Sequence, residues 1–162
     1  METPNILPST RAPIVAAVFP HASPAGVQSP PTLQTAYVGL DEVGSVLARV
    51  LYGVIGAGQI VGASLLQATD AEGTGEKAIT GKASTLAPVG AASPSEDNGL
   101  LEINCRSDEL DVNNGFCFVK LVVTVTDGSP VPSPAESTPL AAWIEVFDHR
   151  YPPTSIAAET IE

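Results

Sequence analysis

The stretch NNGFCFVKLVVTVTDG, residues 113–128, decides the fold. It opens on the turn signal Asn114-Gly115, alternates through residues rich in β-branched and aromatic types, and stops at Asp127-Gly128. Successive strand residues point to opposite faces. Cys117, Val119, Leu121, Val123 and Val125 therefore form one wholly apolar face, suited to a core. Phe116, Phe118, Lys120, Val122, Thr124 and Thr126 form the other. Its lysine and threonines describe a face that is partly wet or packs on another subunit.

The same period recurs on both sides. In SVLARVLYGVIGAG, residues 45–58, Val46, Ala48, Val50, Tyr52 and Val54 face one way and Leu47, Arg49, Leu51 and Ile55 the other. Both sets are largely apolar, as in a strand deep in a sandwich, and Gly53, Gly56 and Gly58 weigh against the rival helix. QIVGASLLQATD, residues 59–70, groups Val61, Ala63 and Leu65. AITGKASTL, residues 78–86, reads as an edge strand, with Lys82 as edge protection. LLEINCR, residues 100–106, turns Leu101, Ile103 and Cys105 inward and Glu102, Asn104 and Arg106 outward. Residues 107–110 read as one helical turn capped by Ser107. A hairpin at Asn114-Gly115 then leads into the opening stretch. LAAWIEVFDHRY, residues 140–151, sets Ala142, Ile144 and Val146 against Trp143, Glu145 and Phe147. No βαβ pattern or internal repeat interrupts this series. The expectation is an all-β protein: an antiparallel β-sandwich or jelly-roll-like fold.

The 162 residues suit one domain plus tails. Residues 1–34 are expected to be a proline-rich extended arm, with plain disorder as its rival, because seven prolines fall in residues 1–33. The sandwich is placed at residues 35–153 and a short acidic tail at 154–162. Ile14, Val15, Val18 and Phe19 give the arm enough apolar surface to dock on a neighbour. Phe116, Phe118, Trp143 and Phe147 complete the candidate partner contacts, with packing inside the subunit as the competing role.

Eighteen acids against seven bases give a formal net charge of −11. The bases are scattered, so nucleic acid and anionic membranes are disfavoured as partners. No apolar run reaches membrane-spanning length, and IVAAVF at residues 14–19 is short and stops at Pro20. Cys105 and Cys117 lie in expected strands and read as free thiols.

Chemistry-bearing groups are sparse. His21 sits among prolines. Asp148 and His149 are chain neighbours on a strand and point to opposite faces. Asp108, Glu109 and Asp111 could hold a hard cation, but their spacing fits no calcium loop, and a solvated acidic turn explains them. Asp70, Glu72 and Glu76 lie in a glycine-rich turn with the same shortfall. Gly53, Gly56 and Gly58 have the wrong spacing for a dinucleotide fingerprint. No catalytic residue, metal or cofactor is expected, and the chain does not read as an enzyme. An enzyme would need distant carboxylates such as Asp70 and Asp111 to converge.

LLQATD at 65–70, ITGK at 79–82, ELDVNNGFCFVKLVVTV at 109–125 and HRYPP at 149–153 carry a resemblance. Over residues 36–153 the chain resembles a family of small virion structural proteins of tailed bacteriophages. The resemblance implies a capsid decoration, or cement, protein on the outer surface of the shell. Such a protein clamps neighbouring major capsid subunits, commonly as a homotrimer. A head-completion or tail component is the alternative it leaves open. Outside that class, a virion-displayed lectin-like module would need an exposed aromatic platform, for which Trp143 and Tyr151 are the candidates.

Overall fold

The computed structural model describes residues 12–22, 32–54, 59–86, 98–127 and 139–148. The strands in chain order are β1 (Ile14–Ala22), β2 (Thr32–Gln34), β3 (Val38–Gly39), β4 (Ser45–Tyr52), β5 (Gln59–Ala68), β6 (Lys77–Leu86), β7 (Gly99–Arg106), β8 (Phe118–Asp127) and β9 (Pro139–Phe147). Two 3-10 turns, Ser107–Glu109 and Val112–Asn114, lie between β7 and β8. No α-helix occurs among the described residues.

One sheet has the order β1-β9-β4-β7 and the other β2-β8-β5-β6, with β3 also pairing with β8. Every pairing is antiparallel. The pairs β1–β9, β2–β8, β4–β7 and β5–β6 are nested, so the chain behaves as one long hairpin rolled alternately into two sheets. Further pairs, β4–β9 and β5–β8, knit each sheet at its centre. This is the jelly-roll arrangement, a β-sandwich.

The core is the facing inner sides. Val46, Ala48, Val50 and Tyr52 of β4 and Leu140, Ala142, Ile144 and Val146 of β9 lie on one side, and Val61, Ala63 and Leu65 of β5 and Val119, Leu121, Val123 and Val125 of β8 on the other. Leu65, Leu121 and Ile144 are fully buried. Each such side chain removed from water contributes about 1.5–3 kcal/mol. The expected inward sets of β5, β7, β8 and β9 are buried or half-buried, and so are Val46, Ala48, Val50 and Tyr52 of β4, whereas Val54, grouped with them, lies past the end of the strand and is exposed. The outer set of β4 departs from expectation: Leu47 and Arg49 are half-buried and Leu51 is exposed, so this strand faces solvent on one side.

Three expectations change. First, the boundary near Thr35 falls inside the sandwich. Ile14–Ala22 forms the edge strand β1, and Thr32–Gln34 forms β2. Prolines are tolerated there because an edge strand leaves one row of donors unused. Pro13 contributes only its carbonyl, which accepts from the Val146 N–H at 3.2 Å. Pro20 lies where the β1–β9 register slips, between Val18 and His21. Second, Asn114-Gly115 does not close a hairpin. β7 and β8 belong to different sheets, and the two 3-10 turns carry the chain from one to the other. Gly115, at φ +81°, supplies the left-handed residue that ends the second turn. Third, Ser107 is the first residue of its turn, not the cap. The Arg106 N–H precedes it and donates to the Glu109 carboxylate at 2.8 Å.

Lys82 does sit on an edge strand, as expected, but it points to Glu109 at 2.7 Å and ties β6 to the turn after β7. At the opposite pole, β7 starts against Tyr52. A Cβ on Gly99 would lie 2.0 Å from the Tyr52 hydroxyl, so only glycine fits.

Candidate interaction surface

The outer face of the β1-β9-β4-β7 sheet is built by cross-strand register. Arg49 lies between Glu102 of β7 and Trp143 of β9, and Ala17 of β1 pairs beyond Trp143. Leu47 lies between Asn104 and Glu145, with Ile14 beyond Glu145. Leu51 lies between Leu100 and Ala141. Arg49 Nε donates to Glu102 at 2.8 Å, and its Nη1 donates to both Glu145 oxygens at 2.9 and 3.1 Å. Trp143 Nε1–H donates to the same Glu145 carboxylate at 2.9 Å. One guanidinium thus holds three strands together, and its charge is neutralised within the face.

Two apolar corners flank this centre. Leu51 and Leu100, register partners, are 49% and 47% exposed, with Val54 close by in sequence at 51%. On the edge strand, Ile14 and Val15 are 54% and 43% exposed. Val112, in the second 3-10 turn, is the sixth exposed large apolar side chain among the described residues. The outer face of the other sheet is unlike this. Gly62, Ser64, Val122 and Thr124 are half-buried there, and Ala83 and Thr85 are exposed but small.

One pole of the sandwich gathers the charges. The β3–β4, β5–β6 and β7–β8 connections and the end of β9 meet there through Leu40 N–H to Cys117 O, Ser107 N–H to Gly44 O, Cys117 N–H to Ala68 O and Gly44 N–H to Asp148 O. Lys120, only 9% exposed, pairs with Glu76, donates to Gln34 Oε1 at 3.0 Å and sits 4.9 Å from the Tyr37 ring centre. The Lys120 end of the second face of β8 is therefore covered by residues of the same chain. Lys77 lies over the Phe116 ring at 3.9 Å and pairs with Asp111 at 2.5 Å. Arg106 pairs with Asp108 at 2.6 Å.

These contacts set the titration of the carboxyls. Lys120 and the Tyr37 hydroxyl hold Glu76 below the usual carboxylate range. Lys82 does the same for Glu109, and Lys77 and Asn114 for Asp111. Asp70 is lowered by the Thr74 side chain and the backbone N–H groups of Thr74 and Glu72, the pattern of an Asx turn. Burial and the Glu76 hydrogen bond raise the Tyr37 hydroxyl. Burial pushes the Cys105 thiol up to about 11 and raises Cys117 as well. Both cysteines are free thiols, with Cys105 buried and Cys117 half-buried.

Asp108, Glu109 and Asp111 each face a different cation, so they do not converge on one point. No group of three His, Cys, Asp or Glu side chains among the described residues is placed to hold a metal. The expected contact residues divide. Ile14 and Val15 are exposed, while Val18 packs on the core. Phe19 lies in β1, but its side chain is outside the described residues. Phe116 is buried under Lys77, and Phe118 is half-buried against Gly39. Trp143 and Phe147 are half-buried on the outer face. The His21 side chain, His149 and Tyr151 are outside the described residues. Sequence reasoning missed the Arg49–Glu102–Glu145 centre and the Leu51–Leu100 corner. Alternation places all five on outward faces, but only the pairing register brings them together.

No family model matches the chain, and no curated protein matches it. Among solved structures it is similar to three from infectious bursal disease virus. Against the Gt strain the TM-score is 0.52 at 14% identity, covering 94% of this chain and 39% of that one. Against the VP2 subviral particle the TM-score is 0.55 at 14% identity, covering 86% of this chain and 33% of that one. The Gx strain gives 0.52 at 13% identity, with 94% and 38% covered. The likeness establishes a shared β-sandwich fold. This chain spans between a third and two-fifths of the length of those it matches.

Proposed function

We propose that this protein is a structural component of a virus particle. The observation that carries the reading is the fold: a jelly roll whose likeness to chains from a virus and a subviral particle runs over most of its length. Arg49, Lys77, Lys82 and Lys120 are engaged in ion pairs that fasten strands and loops to one another, which suits a holding role. Within that class the chain acts as a capsid decoration, or cement, protein of a tailed bacteriophage, seated on the outer surface of the virion. It binds neighbouring major capsid subunits and is itself a homo-oligomer, most simply a trimer. Many individually weak contacts would then stabilise the shell by multivalency.

Purified protein is added to shells lacking it, and occupancy and heat resistance are measured. Saturable binding with a raised disruption temperature is expected. Bare shells would overturn the decoration role. Binding confined to the portal vertex or tail would move the protein to the head-completion or tail alternative.

A further inference from the structure

We infer that Asn114-Gly115 is a guarded site of spontaneous deamidation and that Asp111 is its guard. In an asparagine–glycine pair the glycine nitrogen can attack the side-chain amide carbon with least hindrance, because glycine carries no Cβ. The chain holds this pair twice, at Asn98-Gly99 and Asn114-Gly115, and both asparagines are exposed. The reaction exchanges ammonia for water. The Gly115 nitrogen gives up its proton and bonds to Asn114 Cγ. The Cγ–Nδ2 bond breaks, and Nδ2 leaves as ammonia with that proton. Water then opens the succinimide ring at either carbonyl, leaving aspartate or isoaspartate at position 114. No oxidant, metal or further reactant is needed.

The folded turn opposes each part of this reaction. The Gly115 N–H donates to Val112 O at 3.1 Å, so the attacking atom is already engaged. Asn114 Nδ2 donates to Asp111 Oδ1 and Oδ2 at 2.8 and 2.9 Å, so the amide under attack is held by the carboxylate. The Asn114 N–H donates to Asp111 O at 3.0 Å and fixes the 3-10 backbone, which must unwind before the ring can close. Asp111 is anchored in turn, by its N–H to Gln67 Oε1 at 2.9 Å and by Lys77 at 2.5 Å. Cyclisation therefore waits for the turn to open, and the free energy of that opening sets the rate. Asn98 lies at the opposite pole, where its N–H donates to Gly53 O at 3.1 Å, out of reach of Asp111. Once formed, a carboxylate at position 114 has no N–H to return to Asp111 and repels it, so the modified turn loses the contact that guarded it.

The inference does not depend on the virion reading and is tested on the isolated full chain. The protein is incubated in mildly alkaline buffer, native and in guanidinium chloride. Conversion of each asparagine is followed by peptide mass mapping with isoaspartate resolved. Asn114 in the native chain is expected to convert at least about tenfold more slowly than in the unfolded chain. Asp111→Ala should raise the native rate at Asn114 by about tenfold and leave the rate at Asn98 unchanged. Asp111→Asn, which keeps one acceptor oxygen, should raise it by less and stands in if the alanine variant fails to fold, as circular dichroism will show. If neither variant folds, the ratio of native to unfolded rates still decides. Equal rates at Asn114 in the native and unfolded chains would overturn the inference. So would a folded Asp111 variant that reacts at the wild-type rate. An equal acceleration at Asn98 would also overturn it, because Asp111 would then act on the whole fold and not on this turn.

Discussion

Lys120 rests its ammonium on the Glu76 carboxylate beneath the Tyr37 ring, joining β8, the β5–β6 loop and the segment between β2 and β3 in one contact. The lysine is almost wholly out of water. Its ammonium is therefore surrounded mainly by its partners, whereas the Glu76 side chain remains 39% exposed. Glu76→Gln leaves Lys120 with the Gln34 amide and a ring face, and stability should fall by about 1–3 kcal/mol. Adding Lys120→Met should recover part of the loss, because no buried charge then lacks a partner. A double-mutant cycle in urea measures the coupling, and strict additivity would show that the pair does not interact.

Stability should be lost in acid. The carboxyls of Glu76, Glu109, Asp70 and Asp111 are lowered by hydrogen bonds and cations in the folded state. A lowered folded value means the unfolded chain takes up protons first. The contribution is present above the ordinary carboxyl range, near pH 4, and is lost as pH falls through the folded values. Tyr37 and Cys105 act in the opposite direction. Their folded values are raised, so their contribution is present below the ordinary values and is lost as pH rises through the folded ones. The urea midpoint should be flat around neutrality and fall on both sides, below about pH 4 and above about pH 9. A midpoint that rises on acidification would contradict the assigned pairs.

The two thiols should react in a fixed order. Cys105 is buried between the sheets with its thiol raised to about 11. Cys117 is half-buried beside the loop pole. With a thiol-specific chromophore at pH 8, Cys117 should label first and Cys105 only when the chain is unfolded, since the thiolate is the reactive form. Mass mapping of the labelled peptides reads the order directly.

Ile144→Ala should cost about 2–5 kcal/mol, because the side chain is fully buried on the central strand β9. Leu51→Ala, on the outer face of the neighbouring strand, should change the stability of the isolated subunit by less than about 0.5 kcal/mol. Comparable losses at both positions would mean that the face assignment of β4 is wrong.

Strand phase was legible because a period of two is a property of each segment alone. Val46, Ala48 and Val50, or Ala142, Ile144 and Val146, alternate visibly and are all buried. Pairing was not legible, because register and sheet membership depend on what a strand meets elsewhere in the chain. Asn114-Gly115 carries a hairpin signal, yet Asp111, held by its N–H to Gln67 Oε1 at 2.9 Å, steers the chain into the opposite sheet. β1 was hidden for another reason. Pro20 within it and Pro13 just before it argue against a strand in general, and its edge position makes them tolerable. The candidate contact surface followed the same division. Ile14 and Val15 stood out as apolar, but alternation alone could not show that Leu51 and Leu100, far apart in the chain, lie side by side, because only the β4–β7 register pairs them.

The nested pairing has a consequence for birth on the ribosome. Ile14 waits for Glu145, Thr32 for Thr124 and Ser45 for Arg106, so the early strands emerge long before the strands that will satisfy their backbones. Such distant pairings make folding slow, on the millisecond-to-second scale. The half-made chain meanwhile displays open strand borders to its neighbours on the polysome, and synthesis at low temperature or with holding chaperones should raise soluble yield for that reason.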